Sequence, residues 1–373
     1  MPIYMDRHDI SGATAKDVAR VHQEDLKIQE DYGCRGLTYW FDEERGTAFC
    51  LIEAPNADSV KEMHDQAHGL VPHQIIEVKS DIVESFLGRI EDPMATKDID
   101  NTELLIINDP AFRIIMAIEL QESALIKRRV KKSLAEQIHK AYQQLIKVAL
   151  IEFKGRRVEH VKDGFLVSFS SISNAISASA EIQSGLKKLS AGLDIQLYTQ
   201  IGISAGVPVT EDDAFFGETI QCARRLCEIT RGGQTLISSS VTDYLPNDDV
   251  EKLAKRDAIK VLNPADDDFL TQLVKAATTF WNNPEFKIEL FNAEMGLSKS
   301  QLYRKTVSLL GISPGDFIKE YRLKMSLKRL TESQDNISEI AYDSGFSSPS
   351  YFSKCFLKRY GISPSDFLRS KVA

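Results

Sequence analysis

Long apolar runs are missing from this 373-residue sequence. No stretch of about 18 uninterrupted apolar residues occurs, so no segment is expected to span a membrane. The first six residues have no basic segment followed by an apolar one, so no export signal is expected. Cysteine is also scarce, with five residues at positions 34, 50, 222, 227 and 355 and no CxxC spacing. An odd, scattered set of this kind predicts reduced thiols in a cytoplasmic protein.

Positive charge is in deficit over the whole chain, whose formal net charge is −8. The deficit is uneven, because the segment from Leu297 to the end has 13 Lys/Arg against 7 Asp/Glu, a net +6 that leaves −14 on the rest. Attraction to phosphates is a local property of the contacting face. The asymmetry therefore predicts an acidic body that carries a basic terminal module.

Length and patterning divide the chain into several domains, since 373 residues exceed one ordinary core. An apolar content of 43% and a charged content of 27% are typical of globular domains. The predicted architecture is multidomain, with an α+β first domain, an α/β middle domain and an all-α last domain. The boundaries are a domain at 1–79, a linker at 80–111, a domain at 112–245, a linker at 246–267 and a domain at 268–373.

The first domain shows the order strand, helix, strand, strand, helix, strand. Its clearest feature is a hairpin in which strands at 37–41 and 47–52 flank a charged turn that ends in Gly46. Thr14 and Asp17 have the spacing of a capping box before an amphipathic helix. This order predicts a ferredoxin-like fold.

The last domain contains one pattern twice, about 49 residues apart. In each copy a short helix ends at a glycine, Gly296 or Gly345, and a small polar residue begins the next helix. Ser298 with Gln301 has capping-box spacing, and Ser348 precedes a proline at the first helical position. This pattern predicts two helix-turn-helix units.

A helix is predicted between the two units, with Phe317, Tyr321 and Met325 at steps of four residues. A rigid connecting helix would fix the separation of two recognition helices. Successive major grooves on one face of DNA lie about 34 Å apart, so such a spacer would select the register.

These residues resemble the AraC/XylS family of transcription regulators over about 105 residues. The resembling positions are Leu297 to Lys305, Ile337 to Ala341, Gly345 to Ser347, Ser350 to Phe356 and Gly361 to Pro364. The resemblance implies recognition helices at 299–309 and 349–359. The DNA-binding candidates are Lys299, Ser300, Arg304, Ser350 and Lys354 for base edges, and Lys305, Arg322, Lys358 and Arg359 for phosphates. The alternatives are an α-helical bundle with basic surfaces and, for each residue, a solvated surface charge.

The middle domain resembles a class III nucleotidyl cyclase domain. The resembling segments are 155–158 with Asp163-Gly164, 201–206, 216–220, 223–226 and 232–238. The resemblance implies two metal-binding carboxylates, which in a two-metal site activate a hydroxyl and hold a triphosphate.

Several of those implied cyclase residues are replaced in this sequence. Asp163 matches the second metal carboxylate, whereas Ile118 stands at the first, or Glu119 if the register slips by one residue. Glu159 and Gln221 stand where the family has Lys and Asn, and Arg225 matches the family's transition-state Arg. The domain is therefore predicted to be catalytically degenerate, with Asp163 and Arg225 left as weak nucleotide-binding candidates or as remnants in surface ion pairs.

The first domain resembles a family of nickel-binding ferredoxin-like domains. The resembling segments are 2–8, 39–40, 49–55 and 67–69, together with His22. His64 and His68 are four residues apart, which places both imidazoles on one helical face and suits Ni, Zn or Cu. The metal-ligand candidates are His8, His22, His64 and His68, and the cofactor expected is Ni or another divalent transition metal. The alternative is that they are ordinary surface histidines.

Together the patterns predict a non-enzymatic, sequence-specific regulator that binds double-stranded DNA. It would be a homodimer, as the upstream resemblances imply, controlled by a metal or small-molecule effector, with no membrane partner. The alternatives are a DNA-bound nucleotidyl cyclase and a metal-storage protein with an attached DNA-binding module.

Overall fold

The structure is a computed structural model that describes residues 1–93, 104–161, 164–211, 214–242, 244, 258–332 and 335–372. Its first region is an antiparallel sheet of order β2-β3-β1-β4 with two helices. Thr14 and Asp17 form the capping box that begins α1. The order confirms the ferredoxin-like prediction. The elements are β1 (Ile3–Asp9), α1 (Ala15–Ile28), β2 (Arg35–Asp42), β3 (Thr47–Glu53), α2 (Ala57–Ala67) and β4 (Gln74–Val78).

The two faces of this sheet pack against different partners, because successive side chains of a strand point to opposite faces. On one face, Tyr39 and Phe41 pack in a core with Val60 of α2. On the other face, Trp40 and Leu51 share a core with residues of the middle region. The first domain therefore has no free sheet face among its described residues.

The middle region contains a mixed six-stranded sheet of order β10-β9-β8-β5-β7-β6. Its central strand β5 is antiparallel to β7 and β8, and β9 is parallel to β8 and β10. The elements are β5 (Arg113–Leu120), α4 (Ser123–Arg129), α5 (Lys132–Glu152), β6 (Arg156–Val161), β7 (Gly164–Phe169), α6 (Ile172–Ser190), β8 (Thr199–Gly206), α7 (Gly217–Ile229), β9 (Thr235–Ile237), α8 (Ser239–Thr242) and β10 (Ile259–Val261). This mixed α/β architecture agrees with the predicted fold class.

Helices cover both faces of the middle sheet. Helices α5 and α6 contribute Tyr142 and Ile182 to the core on one face. On the other face, α7 lies so close to β8 that a side chain at Gly202 would meet the carbonyl oxygen of Ala223 at 2.1 Å. Glycine is required there because no Cβ fits between the strand and the helix.

The segment predicted as the first linker contains ordered structure. It begins with α3 (Ser80–Leu87), and the guanidinium of Arg113 donates hydrogen bonds to the carbonyl oxygens of Phe86 and Leu87 at 3.1 Å. Phe86 is 1% exposed and packs in the core shared by the first and middle regions. The sequence pattern missed this helix because its apolar face is buried between domains rather than within one.

The second predicted linker is described only from residue 258 onward, and 246–257 lie outside the described residues. The described part contains β10 and the first turn of α9 (Pro264–Phe280). The Asn263 side chain accepts a hydrogen bond from the backbone N–H of Asp266 and caps α9. The acidic run of this segment is thus the first turn of a helix, where negative charge is favoured.

The last region is all helical, as predicted. Gly296 and Gly345 take left-handed φ values of 60° and 74° at the two turns. Ser298 and Gln301 form the capping box of α11, and the Asn336 side chain caps α13. The elements after α9 are α10 (Ile288–Glu294), α11 (Lys299–Leu310), α12 (Pro314–Glu332), α13 (Ile337–Asp343), α14 (Pro349–Tyr360) and α15 (Pro364–Val372). Two helix-turn-helix units, α10–α11 and α13–α14, are thus joined by α12.

Both helix-turn-helix units complete their cores with residues of the middle region. Leu226 and Ile229 of α7 pack in the core of the first unit. Leu125 of α4, 0% exposed, packs with Phe352 and Phe356 in the core of the second unit.

None of the helices in the described residues combines the length and the hydrophobicity that a membrane-spanning segment requires.

Candidate metal centre and nucleic-acid interface

A buried network of imidazoles and carboxylates lies between the sheet and the helices of the first domain. His64 on α2 is 1% exposed and bridges two carboxylates. Its Nε2 lies 2.8 Å from Oδ2 of Asp6 on β1, and its Nδ1 lies 3.0 Å from Oδ1 of Asp25 on α1. The sheet and both helices therefore meet at one imidazole.

Further donor atoms surround this bridge. Nε2 of His8 lies 3.4 Å from Oδ1 of Asp6, and Nε2 of His68 lies 3.0 Å from Oδ1 of Asp25. The donor atoms of Asp6, His8, Cys50 and His64 all lie within 4.8 Å of one another. A second group with the same property is Asp25, His64 and His68. His64 belongs to both groups.

The network is strongly polarised. Burial alone would raise the pKa of Asp6, but the neighbouring His8 and His64 hold it well below its ordinary value. Burial lowers the pKa of His64, but Asp25 and Asp6 outweigh that effect and raise it to about 10. Burial also raises the pKa of the Cys50 thiol. A positive charge between Asp6 and Asp25 is therefore what this pocket stabilises.

The donor set suits a borderline transition metal. Imidazole, thiolate and carboxylate together are the ligand types used for ions such as Ni²⁺. The Nε2 atom of His8 is buried, and its contact with Oδ1 of Asp6 at 3.4 Å does not have the geometry of a hydrogen bond. A buried nitrogen without a well-formed hydrogen bond is costly, so a bound cation would satisfy this atom better than Asp6 does.

The structure groups three of the four predicted metal ligands. His8 and His64 share one donor group, and His64 and His68 share the other. His22 lies apart, with its Nε2 3.4 Å from Oδ2 of Asp92 and its ring 4.8 Å from that of Tyr39. His22 is placed by helix α1 toward the linker rather than toward the shared donors.

Sequence reasoning missed the carboxylates Asp6 and Asp25 and gave no role to Cys50. Asp6 and His8 are two residues apart on β1, so their side chains lie on the same face of the sheet, the face that the helices cover. This spacing is the one local signal that could have paired them. Asp25 and Cys50 had no such signal, because only the packing of α1 and β3 brings them to His64.

The predicted base-reading residues lie on open surface. Lys299, Ser300 and Arg304 are exposed in the first half of α11, and Ser350 and Lys354 are exposed on α14. The buried faces of the same helices hold Leu302 and Phe352 in the cores. This division leaves the N-terminal halves of both recognition helices free to enter a groove.

Three of the four predicted phosphate-binding residues face protein instead. The Arg322 Nε donates to the carbonyl oxygen of Trp281 at 2.8 Å, so this guanidinium holds the loop before α10. The Arg359 Nη1 lies 2.5 Å from Oε1 of Glu122. The Lys305 ammonium lies 5.1 Å from the ring centre of Phe269. Lys358 alone of the four is exposed.

These cations contact protein because of tertiary packing, which the sequence pattern does not reveal. The connecting helix and the end of α14 lie against the middle region and α9, and these elements supply carbonyl oxygens, carboxylates and an aromatic face. Cations that a helical wheel places on a free surface are thereby paired within the protein.

Only one of the two cyclase-like candidates lies within the described residues. Asp163 lies outside the described residues, and Arg225 is half-buried on α7. Of the two residues that could stand at the first carboxylate position, Ile118 is 1% exposed in the sheet and Glu119 is exposed. Glu159 forms an ion pair with Arg224 at 2.5 Å. The ion pair occupies the side chain that replaces the family's base-reading Lys.

Two family models match the ends of the chain. Residues 4–78 match the family described as nickel responsive protein SCO4226-like. Residues 292–370 match the model of a helix-turn-helix domain. The resemblances predicted for the first and last domains are therefore confirmed.

Relatives and solved structures cover parts of the chain. Histidine kinase P4 of Formosa agariphila is 35% identical over 106 residues, 28% of this chain and 8% of that protein. The HTH-type transcriptional regulator MtrA of Neisseria gonorrhoeae is 32% identical over 83 residues, 22% of this chain and 28% of that protein. The chain thus spans less than a third of either relative. The structure of an adenylate/guanylate cyclase/hydrolase from Silicibacter pomeroyi aligns at 24% identity and a TM-score of 0.32, covering 36% of this chain and 78% of that chain.

Proposed function

We propose that this chain is a nickel-responsive transcription regulator that binds double-stranded DNA in the cytoplasm, without enzymatic activity. The observation that carries the proposal is the pair of helix-turn-helix units with exposed polar and basic residues on both recognition helices. The match of residues 4–78 to a nickel-responsive family supports the metal as effector. We assign the middle domain a structural role between the first domain, which is the proposed sensor, and the helical region from α9 to α15, which is called the reader below.

The metal ligands of the proposed sensor are drawn from Asp6, His8, Cys50 and His64, with Asp25 and His68 as the second group. A bound divalent ion would supply the positive charge that the His64 proton supplies between the two carboxylates. His22 stays outside this set.

Selection of bound sequences from a pool of random duplexes tests whether the reader binds DNA with sequence specificity. The full chain is incubated with random duplexes, with and without Ni²⁺, and bound sequences are determined. Two enriched half-elements about one helical turn apart are expected, because two recognition helices meet successive major grooves. The absence of any enriched sequence, with only salt-sensitive bulk binding, would contradict sequence-specific regulation.

Charge-matched variants locate the reading surface. Arg304→Ala with Lys354→Ala should abolish sequence preference on the selected duplex, since each bidentate or close base contact contributes about 1 to 3 kcal/mol of discrimination. Lys187→Ala with Lys188→Ala removes two exposed cations from α6 and serves as the control. Equal loss in both double variants would show that the effect is general electrostatics.

Calorimetric titration with Ni²⁺ tests the sensor. His8→Ala should weaken nickel binding by about tenfold or more, because even outer partners of metal ligands typically change affinity by about 10- to 100-fold. His73→Ala removes an exposed imidazole of the same domain and should leave binding unchanged. Unchanged nickel affinity in the His8 variant would remove His8 from the site.

A further inference from the structure

The connecting helix of the DNA-binding region lies across a cleft of the middle domain. A cavity of about 750 Å³ separates the two, lined on one side by the end of β5 and on the other by α12. The ammonium of Lys324 on α12 reaches into the cleft and lies 3.4 Å from Oε1 of Glu228 on α7. Burial lowers the pKa of Lys324, but Glu228 and Glu119 outweigh it and hold the pKa above its ordinary value. Lys324 is therefore a cation held by the acidic edge of the middle domain.

A second cation of the reader is held in the same way. The guanidinium of Arg359, in the last turn of the second recognition helix, lies 2.5 Å from Glu122 of the middle domain and 2.6 Å from Glu320 of α12. Arg129 donates a hydrogen bond to the carbonyl oxygen of Tyr360 at 3.0 Å, at the end of the same helix. Both contacts join α14 to the segment around α4.

Glu122 is held in an uncommon backbone conformation. Its φ is 54°, in the left-handed region that a residue with a Cβ rarely adopts. The surrounding structure must impose this conformation. In it, the Glu122 carboxylate accepts from both Arg129 and Arg359. The strain is thus located at the residue that fastens the recognition helix.

Apolar contacts make the docked arrangement the packed one. Leu125, three residues after Glu122, fills the core of the second helix-turn-helix unit, and Leu226, two residues before Glu228, packs in the core of the first. Glu122 and Glu228 therefore lie beside the two leucines through which the middle domain packs into the cores of the helix-turn-helix units.

We propose that the middle domain is a latch on the reader: Glu122 and Glu228 withhold Arg359 and Lys324 from DNA phosphates, and release of the latch strengthens DNA binding. The proposal rests on the proposed function. The N-terminal halves of the recognition helices are exposed in the latched form, so this form reads base edges with fewer phosphate contacts. Docking therefore weakens DNA binding without abolishing it.

The test compares two charge-matched double variants of the full chain. Glu122→Gln with Glu228→Gln removes the two middle-domain carboxylates that form ion pairs with Arg359 and Lys324, which disfavours docking. Glu136→Gln with Glu181→Gln removes the same formal charge from exposed positions on α5 and α6. Affinity for a duplex of random sequence is measured by fluorescence anisotropy over a range of salt concentrations.

The latch variant should bind about tenfold more tightly at low salt, and the slope of log K against log salt should steepen by up to about 1.8, or about 0.9 for each phosphate gained. The gain at Arg359 is the smaller one, because Glu320 of α12 stays beside it. The control should match the wild type in slope. Equal slopes in the two double variants would overturn the proposal. Weaker binding by the latch variant would also overturn it, because the middle domain would then be a support for the DNA-bound form.

Hydrogen exchange separates this proposal from the proposed function. In the latch variant the amides of α12 and α4 should exchange faster than in the wild type, because the docked form is less populated. Unchanged exchange would refute the latch whatever the DNA result. A wild-type chain that binds no duplex at all would refute the proposed function instead, and exchange would then decide the docking alone.

Discussion

His64 is the residue on which the interior of the first domain depends. It contacts Asp6, which is 0% exposed, and Asp25, which is 4% exposed, and each carboxylate belongs to a different element. An imidazolium between two buried carboxylates offsets the cost of burying their charges. The same position is the one shared by both candidate metal-ligand groups, so structural and ligand roles coincide at a single side chain.

Removing this imidazole should destabilise the metal-free protein. His64→Ala leaves Asp6 and Asp25 buried without their bridging cation, and the free energy of unfolding of the unit that contains the first domain should fall by about 3 to 5 kcal/mol. Urea unfolding in the presence of a chelator measures the change. His73→Ala, at an exposed position, is the control and should stay within about 0.5 kcal/mol of the wild type. A small effect of His64→Ala would mean that the carboxylates are not charged in the folded state.

At the scale of single elements, the two helix-turn-helix turns differ in what surrounds their glycines. Both glycines have left-handed φ values, so both favour glycine on conformational grounds. A side chain at Gly345 would meet the carbonyl oxygen of Trp281 at 2.5 Å, whereas a side chain at Gly296 would meet nothing within 4 Å. The second turn is therefore a packing contact as well as a turn.

A matched pair of substitutions tests this difference. Gly296→Ala should cost about 1 to 2 kcal/mol, the cost of a left-handed residue with a Cβ. Gly345→Ala should cost clearly more, because the loop that holds Trp281 must move and Arg322 is bonded to the same carbonyl oxygen. Thermal unfolding of both variants provides the comparison. Equal losses of stability in the two variants would show that the loop containing Trp281 moves without an energetic cost.

The elements that the sequence predicted well are those with local signals. Capping pairs such as Ser298 with Gln301, and the turn glycines, determine helix ends by contacts within a few residues. The contacts of Arg322, Arg359 and Asp25 could not be predicted because their partners lie 36 or more residues away in sequence or in another domain. A surface cation and a buried structural one look alike in a helical pattern, and only tertiary packing distinguishes them.

At the scale of the whole molecule, the first and middle domains share a core. Phe86 of α3 lies in that core and stacks on Phe216 with ring centres 5.0 Å apart. Trp40 of the first domain belongs to the same cluster. Domains that share a core in this way are expected to unfold together.

Phe86→Ala should therefore destabilise both domains at once, by about 3 to 5 kcal/mol. Because the chain has two tryptophans, the Trp281→Phe background leaves Trp40 as the fluorescent reporter, on the side of the shared core that belongs to the first domain. Its unfolding midpoint should shift together with that measured by calorimetry. Val148→Ala, at a side chain that is 48% exposed, should shift neither. Separate shifts for the two signals would show that the shared core does not couple the domains.

The face of the first sheet that carries Trp40 and Leu51 has a consequence for symmetry. An isologous dimer needs the same patch free on both copies. Here that patch is covered by α3 and the middle sheet of its own chain, so two chains cannot pair through it without first separating their domains. A two-fold axis, where the protein dimerises, must therefore pass through another surface, and the candidate metal ligands lie on the opposite, helical side of the sheet.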